Sequence, residues 1–214
     1  MDKIKIDLIN ISGLEAAHRA VKKPYRNEKA DGVKLLHKVA KVLKHESVLE
    51  HIFFQFDVDG SSRLELQEHM RHRHASPTVE SSRYALKRMV EELAIINIRD
   101  YREIENFVYK YTVFSPWMLD AKNSTDNLYL RTLDRRLEQL KMFAELYKRK
   151  GADVAKYELI ESLRTSFVWT INLRSFLNFV QLRTANNAHF EIRHIAQEMA
   201  DLVSENEEIK NLLI

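Results

Sequence analysis

The chain contains no cysteine, and that absence removes disulfides, thiolate metal sites, iron–sulfur clusters and every mechanism with a cysteine nucleophile. Glycine is almost as scarce. Its four residues, Gly13, Gly32, Gly60 and Gly151, lie so far apart that neither a Walker loop nor a GxGxxG dinucleotide turn can be written. Any bound phosphate must then be held by side chains or helix N-termini. No uncharged apolar run approaches the ~18 residues of a membrane span, and charges punctuate the opening MDKIKIDLIN. A cytosolic (cytoplasmic) protein with no membrane partner is expected. The formal net charge is only +3 although 30% of residues are charged, so a cluster of arginines is a local concentration and not part of a polybasic surface.

What is present fits one domain spanning residues 1–214, since 45% hydrophobic content over 214 residues is enough for a core. KIKIDLIN alternates Ile4, Ile6 and Leu8 against charges, the period of a half-buried strand. A helix is expected over about 13–22, ending near Pro24. DGVKLLHKVAKVLKHES carries Val33, Leu36, Val39, Ala40 and Leu43 on one helical stripe. HIFFQFDVDG sets Ile52, Phe54, Phe56 and Val58 against polar neighbours, a strand expected to close in a turn at Gly60. Ser62 and Glu65 have capping-box spacing, which starts a helix at Arg63 and carries it into the basic run Arg71-His72-Arg73-His74 before Pro77 forbids continuation.

Further along, helices are expected over about 101–114 and from Asp126 to Lys150. The second carries a Leu130, Leu133, Leu137, Leu140, Ala144, Tyr147 stripe suited to core or subunit contact. SFVWTINL reads as a strand and RSFLNFVQLR as a helix with Arg174, Asn178 and Gln181 on a polar stripe and Phe176, Leu177 and Val180 facing away. A final helix covers about 187–205. Long helices with a few strands outside regular βαβ units define an α+β class, predominantly helical with a small central sheet.

Nine histidines raise the question of zinc, and the spacing answers it. HESVLEH at 45–51 lacks the histidine that HExxH needs at 49, where Leu49 stands. The inverted motif needs one at 47 or 48, where Ser47 and Val48 stand. His69 and His72 are three apart on one helix but have no evident acidic third ligand, so no metal site is expected. The basic run alone is explained by a solvated helix C-terminus. Considered with Arg63, Glu68, Ser81, Arg83 and Arg183, several arginines with interspersed hydroxyls suit an anion, and a nucleotide is expected, in a chain without glycine loops.

Arg71-His72-Arg73, seven residues, then Ser81 resembles the signature of the flavin-dependent thymidylate synthases. HESVLEH (45–51), SSRY (81–84), WTINLRSFLNFVQLR (169–183) and AHFEIRHIAQEM (188–199) resemble segments of that family in the same order. The resemblance implies conversion of dUMP to dTMP with methylenetetrahydrofolate as carbon donor and NADPH as reductant through FAD. The missing cysteine agrees, because the other class of thymidylate synthase adds a cysteine thiolate to the pyrimidine. It also implies a catalytic role for Arg183, which would lie against the uracil and favour its N3-deprotonated form. Nucleotide contacts would come from Glu68, His69, Met70, Arg71, Ser81, Ser82, Arg83, Lys156 and Arg183, with Arg63 a further candidate. FAD contacts would come from His45, Ser47, Arg71, His72, Arg73, Asn172, Leu173, Arg174 and Asn178. A homotetramer with active sites shared between subunits is implied as well.

The sequence departs from the family pattern at Thr78, Val79, Lys156 and Ile160, where Asn, Glu, Arg and Pro are common. Lys156 keeps the charge but loses the bidentate fork. Two other function classes compete with the synthase: a catalytically silent FAD- or nucleotide-binding relative, and a nucleic-acid-binding module using Arg71–His74 with Tyr84. The second lacks aromatics interleaved with a broader basic face, so no nucleic-acid partner is expected.

Overall fold

The computed structural model describes residues 4–123 and 127–213. In chain order its elements begin with β1 (Lys5–Ser12), α1 (Leu14–Lys22), α2 (Gly32–His37), β2 (Phe53–Ser62), α3 (Arg63–His69) and β3 (Ala75–Val79). Next come α4 (Ser82–Leu93), α5 (Tyr101–Tyr111), α6 (Pro116–Asp120), α7 (Leu128–Lys150) and α8 (Ala152–Ala155). The chain ends with β4 (Arg164–Asn172), α9 (Leu173–Arg183), α10 (Phe190–Ser204) and α11 (Glu207–Leu213). The strands form one sheet in the order β1-β2-β4-β3. No described helix is long and apolar enough to cross a membrane.

The chain divides into two compact units. The first is built mainly from Gly60–Leu66 and Val79–Ser166, the second from Lys5–Asp59, Gln67–Thr78 and Phe167–Ile214. In the first, α4, α5 and α7 surround one core to which α7 contributes Tyr129, Leu133, Leu137, Leu140, Phe143 and Ala144. The expected α7 stripe is therefore spent on this core, except that Leu130 points to solvent at 45% exposure. Asp126, the expected first residue of that helix, lies outside the described residues.

In the second unit β1 runs antiparallel to β2, and the pairing slips by one residue between Leu8 and Asn10. That slip reconciles the sequence with the sheet. Leu8 faces Phe56 before it and Ile11 faces Phe54 after it, so Ile9, the extra residue, is turned outward. Ile52, Phe54, Phe56 and Val58 are fully buried, as their alternation requires. Gly13 links β1 to α1 at φ +85°, and a Cβ there would lie 1.8 Å from the His51 carbonyl oxygen, so only glycine fits.

Several boundaries differ from expectation for local reasons. Gly60 does not end its strand; at φ +80° it lets β2 continue to Ser62, whose hydroxyl accepts the Glu65 amide at 3.0 Å and starts α3. The helix after Asp31 stops being regular at His37, runs on as a wider π-type turn over Lys38–Val42, and leaves Val33 and Leu43 exposed. His45 then precedes a 3-10 turn over Glu46–His51. α5 ends at Tyr111, short of the expected 114, while β3, α4, α6, α8 and α11 lie where the sequence pattern predicts no element. α3 ends at His69, so the basic run forms a turn and not a helix terminus. Pro77 sits within β3, at the sheet edge, where a residue without an amide hydrogen is tolerated.

An aromatic cluster holds β4 against α9. His69 packs at 4.8 Å from Phe167, 4.2 Å from Trp169 and 5.0 Å from Phe179, and Phe179 lies 4.9 Å from Trp169. Replacing Phe179 with Ala should lower stability by about 3–5 kcal/mol in urea unfolding. A loss below about 1 kcal/mol would mean the cluster does not anchor α9.

Candidate functional site

The basic run leaves α3 in a tight turn, with the Arg71 and His72 amides donating to the Glu68 and His69 carbonyls at 3.4 and 3.1 Å. It faces α9, and between them lies a cleft of about 1000 Å³. Arg71, His72, Arg73 and His74 line one side. Asn172, Arg174, Asn178, Gln181 and Arg183 line the other, interspersed with Ile171, Leu177 and Leu182. The polar stripe expected on α9 does face the cleft, but Leu177 faces it too, while Phe176 and Phe179 are buried.

Helical order at the start of α9 comes from Asn172, whose side chain caps the helix by accepting the Ser175 amide at 2.9 Å. Arg174 then reaches the 3-10 turn, donating to Glu50 at 2.6 Å, with Glu46 at 3.9 Å. Glu46 and Glu50 line the cleft in place of His45 and Ser47, which belong to the same segment but not to its wall. Their acidity opposite an arginine was the available signal. Leu173 is fully buried, and its amide donates to the Ile52 carbonyl at 2.8 Å.

At the far end of α9, Arg183 is 16% exposed and engaged on three donors. Its Nη1 donates to Glu68 Oε2 at 2.7 Å, its Nη2 to the Glu68 carbonyl at 3.1 Å, and its Nε to His72 Nε2 at 2.8 Å. Accepting that last bond requires His72 Nε2 to be unprotonated, so the neutral ring carries its proton on Nδ1. Burial, then the neighbouring Arg183 charge, pushes the His72 pKa from 6.5 down to about 4. The hydrogen bond from Arg183 holds the Glu68 carboxyl below the usual range, and Arg71 adds a weaker contact at 3.5 Å. Met70 lies in the turn between these groups, and His69 is buried in the aromatic cluster.

The remaining candidates lie in the first unit. Ser81 precedes α4, and its carbonyl accepts the Tyr84 and Ala85 amides at 3.0 and 3.1 Å. Ser82 opens the helix. Arg83 forms a bidentate pair with Asp153 at 3.0 and 2.8 Å, and Lys156 approaches the same carboxylate at 3.5 Å. The Arg83 hydrogen bond lowers the Asp153 pKa. Asp153 was missed from sequence, although its i,i+3 spacing to Lys156 was visible.

Comparison with known proteins adds to this geometry. The profile of the thymidylate synthase complementing protein family matches residues 9–206. The flavin-dependent thymidylate synthase of Campylobacter jejuni strain RM1221 is 37% identical over 165 residues, covering 77% of this chain and 72% of that protein. The chain belongs to the flavin-dependent thymidylate synthase family. Its family relative in Helicobacter pylori strain 26695 is 34% identical over 170 residues, covering 78% and 74% of the two chains. A crystal structure of thymidylate synthase X from Helicobacter pylori with FAD and dUMP superposes with a TM-score of 0.77 at 27% identity, covering 98% of this chain and 99% of that one. The likeness thus extends across both units, well beyond the segments that carried the resemblance.

The His72 shift has a pH consequence with a definite sign. An unfolded chain protonates this imidazole near 6.5, whereas the folded one resists until about 4. Its contribution to stability is therefore complete above 6.5 and lost as the pH falls toward 4. Urea unfolding midpoints should fall over that interval, and His72→Gln should flatten the fall. An identical slope in the variant would show that His72 does not titrate as described.

Proposed function

We propose that this protein is a flavin-dependent thymidylate synthase that methylates dUMP to dTMP, using methylenetetrahydrofolate as carbon donor and NADPH, through FAD, as reductant. The observation that carries the proposal is Arg183 set rigidly in the wall of a large basic cleft. Of the five N–H donors of a guanidinium, three are engaged by Glu68 and His72, which leaves two for a ligand. A cation that never deprotonates suits stabilisation of negative charge on a pyrimidine, and its fixed position lowers the reorganisation required. The lack of cysteine supports the same route, since the nucleophile of the alternative chemistry is missing.

The cleft fits a flavin dinucleotide by its own properties. Its volume of about 1000 Å³ stands at the upper end of ligand pockets, about 300–1000 Å³. Exposed Arg71 and Arg73 offer forks to a diphosphate, Asn172 and Asn178 offer amides, and Ile171 and Leu177 offer an apolar wall to a ring. In this reading Arg174 and His72 complete the FAD set, with His45, Ser47 and Leu173 contributing from the same segments. When bound, FAD supplies the hydride chemistry. The protein orients the nucleotide, keeps His72 neutral beside Arg183, and holds the charge on the pyrimidine.

Ser81, Ser82, Arg83 and Lys156 are assigned to dUMP, Arg83 at its phosphate, as are Glu68, Met70, Arg71 and Arg183, in active sites shared between subunits; His69, whose ring is buried in the aromatic cluster, would take part through its backbone. Occupation of that phosphate site exchanges the Asp153 carboxylate on Arg83 for a phosphate of higher charge. The match across residues 9–206 supports treating the chain as one synthase domain. A homotetramer and a cytosolic location complete the proposal; light scattering of the purified protein checks the former.

Two substitutions test the assignments. Arg183→Ala should reduce dTMP formation by about 10²–10³-fold while FAD stays bound; turnover near the wild-type rate would remove Arg183 from the chemistry. Arg83→Ala should weaken dUMP binding by about tenfold or more, read by calorimetry, and an unchanged affinity would place the phosphate elsewhere.

A further inference from the structure

The first unit contains a second concavity, of about 310 Å³, between the N-terminal half of α7 and residues 160–162. Arg131, Arg135 and Arg136 line it, together with the hydroxyls of Thr132 and Ser162, and Glu161 is its one acidic residue. Three guanidiniums against one carboxylate leave the lining with an excess of positive charge. Helix physics does not favour this arrangement. Arg131 and Arg135 are a like-charge i,i+4 pair, and Arg131 stands near the helix N-terminus, whose first turn holds no acidic residue.

Local carboxylates do not relieve it. Among the described residues the ion pairs of α7 are Lys141–Glu138 and Arg149–Glu145, so neither Arg131 nor Arg135 is paired. Arg136 is half-buried, and its partners are all neutral. Its Nη1 donates to Thr112 Oγ1 at 3.0 Å and to the Val113 carbonyl at 2.8 Å, and its guanidinium lies 3.9 Å from the Phe114 ring centre. Burial lowers its pKa to about 10, with Tyr109 opposing and Arg164 adding to the shift.

We propose that this cavity binds a phosphate-class dianion, either inorganic phosphate or the phosphate of a small metabolite. Arg131 and Arg135 grip it, and Arg136 is the fixed positive floor. Guanidinium forks flanked by hydroxyls are the donor set such an anion takes in a chain without glycine loops. The site shares no residue with the cleft or with the Arg83–Asp153–Lys156 cluster, so it stands independently of the synthase reading.

Calorimetric titration at fixed ionic strength tests it, in an Arg83→Ala background that silences the other candidate phosphate cluster, with Arg71→Gln and Arg73→Gln present in every protein to silence the forks of the cleft. Inorganic phosphate and ribose 5-phosphate serve as probes. Arg83→Ala protein should bind with one site, and adding Arg131→Gln and Arg135→Gln should weaken binding by about tenfold or more. Both arginines are exposed, so their replacement should leave the circular dichroism unchanged. Tighter binding of ribose 5-phosphate than of phosphate identifies a phosphorylated metabolite as the occupant, and equal binding identifies the bare anion. No binding by Arg83→Ala protein, or equal affinity once Arg131 and Arg135 are replaced, overturns the proposal.

Discussion

The guanidinium of Arg183, gripped by the Glu68 carboxylate, the Glu68 carbonyl and the His72 ring, ties the end of α9 to the turn that follows α3. Each partner constrains the others. Glu68 balances a charge that is largely withdrawn from water, while the bond to Nε leaves His72 only its neutral Nδ1–H form. A protonated His72 would set two cations 2.8 Å apart, and that repulsion adds to the burial that chiefly lowers the imidazole pKa. Beneath them the Phe179, Trp169 and His69 cluster fixes the height of α9 over β4. A rigid cation in a cleft wall results, with donors to spare.

The scarcity of glycine runs through the rest of the molecule. Without glycine loops, holding an anion falls to side chains or helix N-termini, and a solvated arginine fork is expensive to order unless another group holds it. The chain supplies such groups repeatedly: Glu50 for Arg174, Asp153 for Arg83, Glu68 for Arg183. Each carboxylate both orders its arginine and competes with an incoming anion. Arg131 and Arg135 are the exception on α7, which is why that cavity stands out.

Much of this was legible in the residues, and the failures have physical causes. Alternation located β2 because one face is entirely buried, and ordered blocks around Arg71-His72-Arg73 and Arg183 located the cleft. Its acidic wall was missed because Glu46 and Glu50 sit in a 3-10 turn, where no period announces which side chains face inward. Propensity alone predicts a helix end at the basic run because it does not register the sharp turn that follows the buried His69. Gly60 looks like a stop in the sequence because positive φ inside a strand has no signature beyond the glycine itself. The wider turn over Lys38–Val42 likewise broke a stripe whose sequence period remained intact.

In the proposed synthase the cleft beside Arg183 holds a redox-active flavin over a pyrimidine nucleotide. The most direct measurement is the visible absorption of the purified protein supplied with FAD, reduced anaerobically with NADPH and then given dUMP and methylenetetrahydrofolate. A flavin band that bleaches on reduction and returns in step with dTMP formation is expected. A protein that takes up no flavin, or a reduced flavin that stays bleached with no dTMP formed, would contradict it.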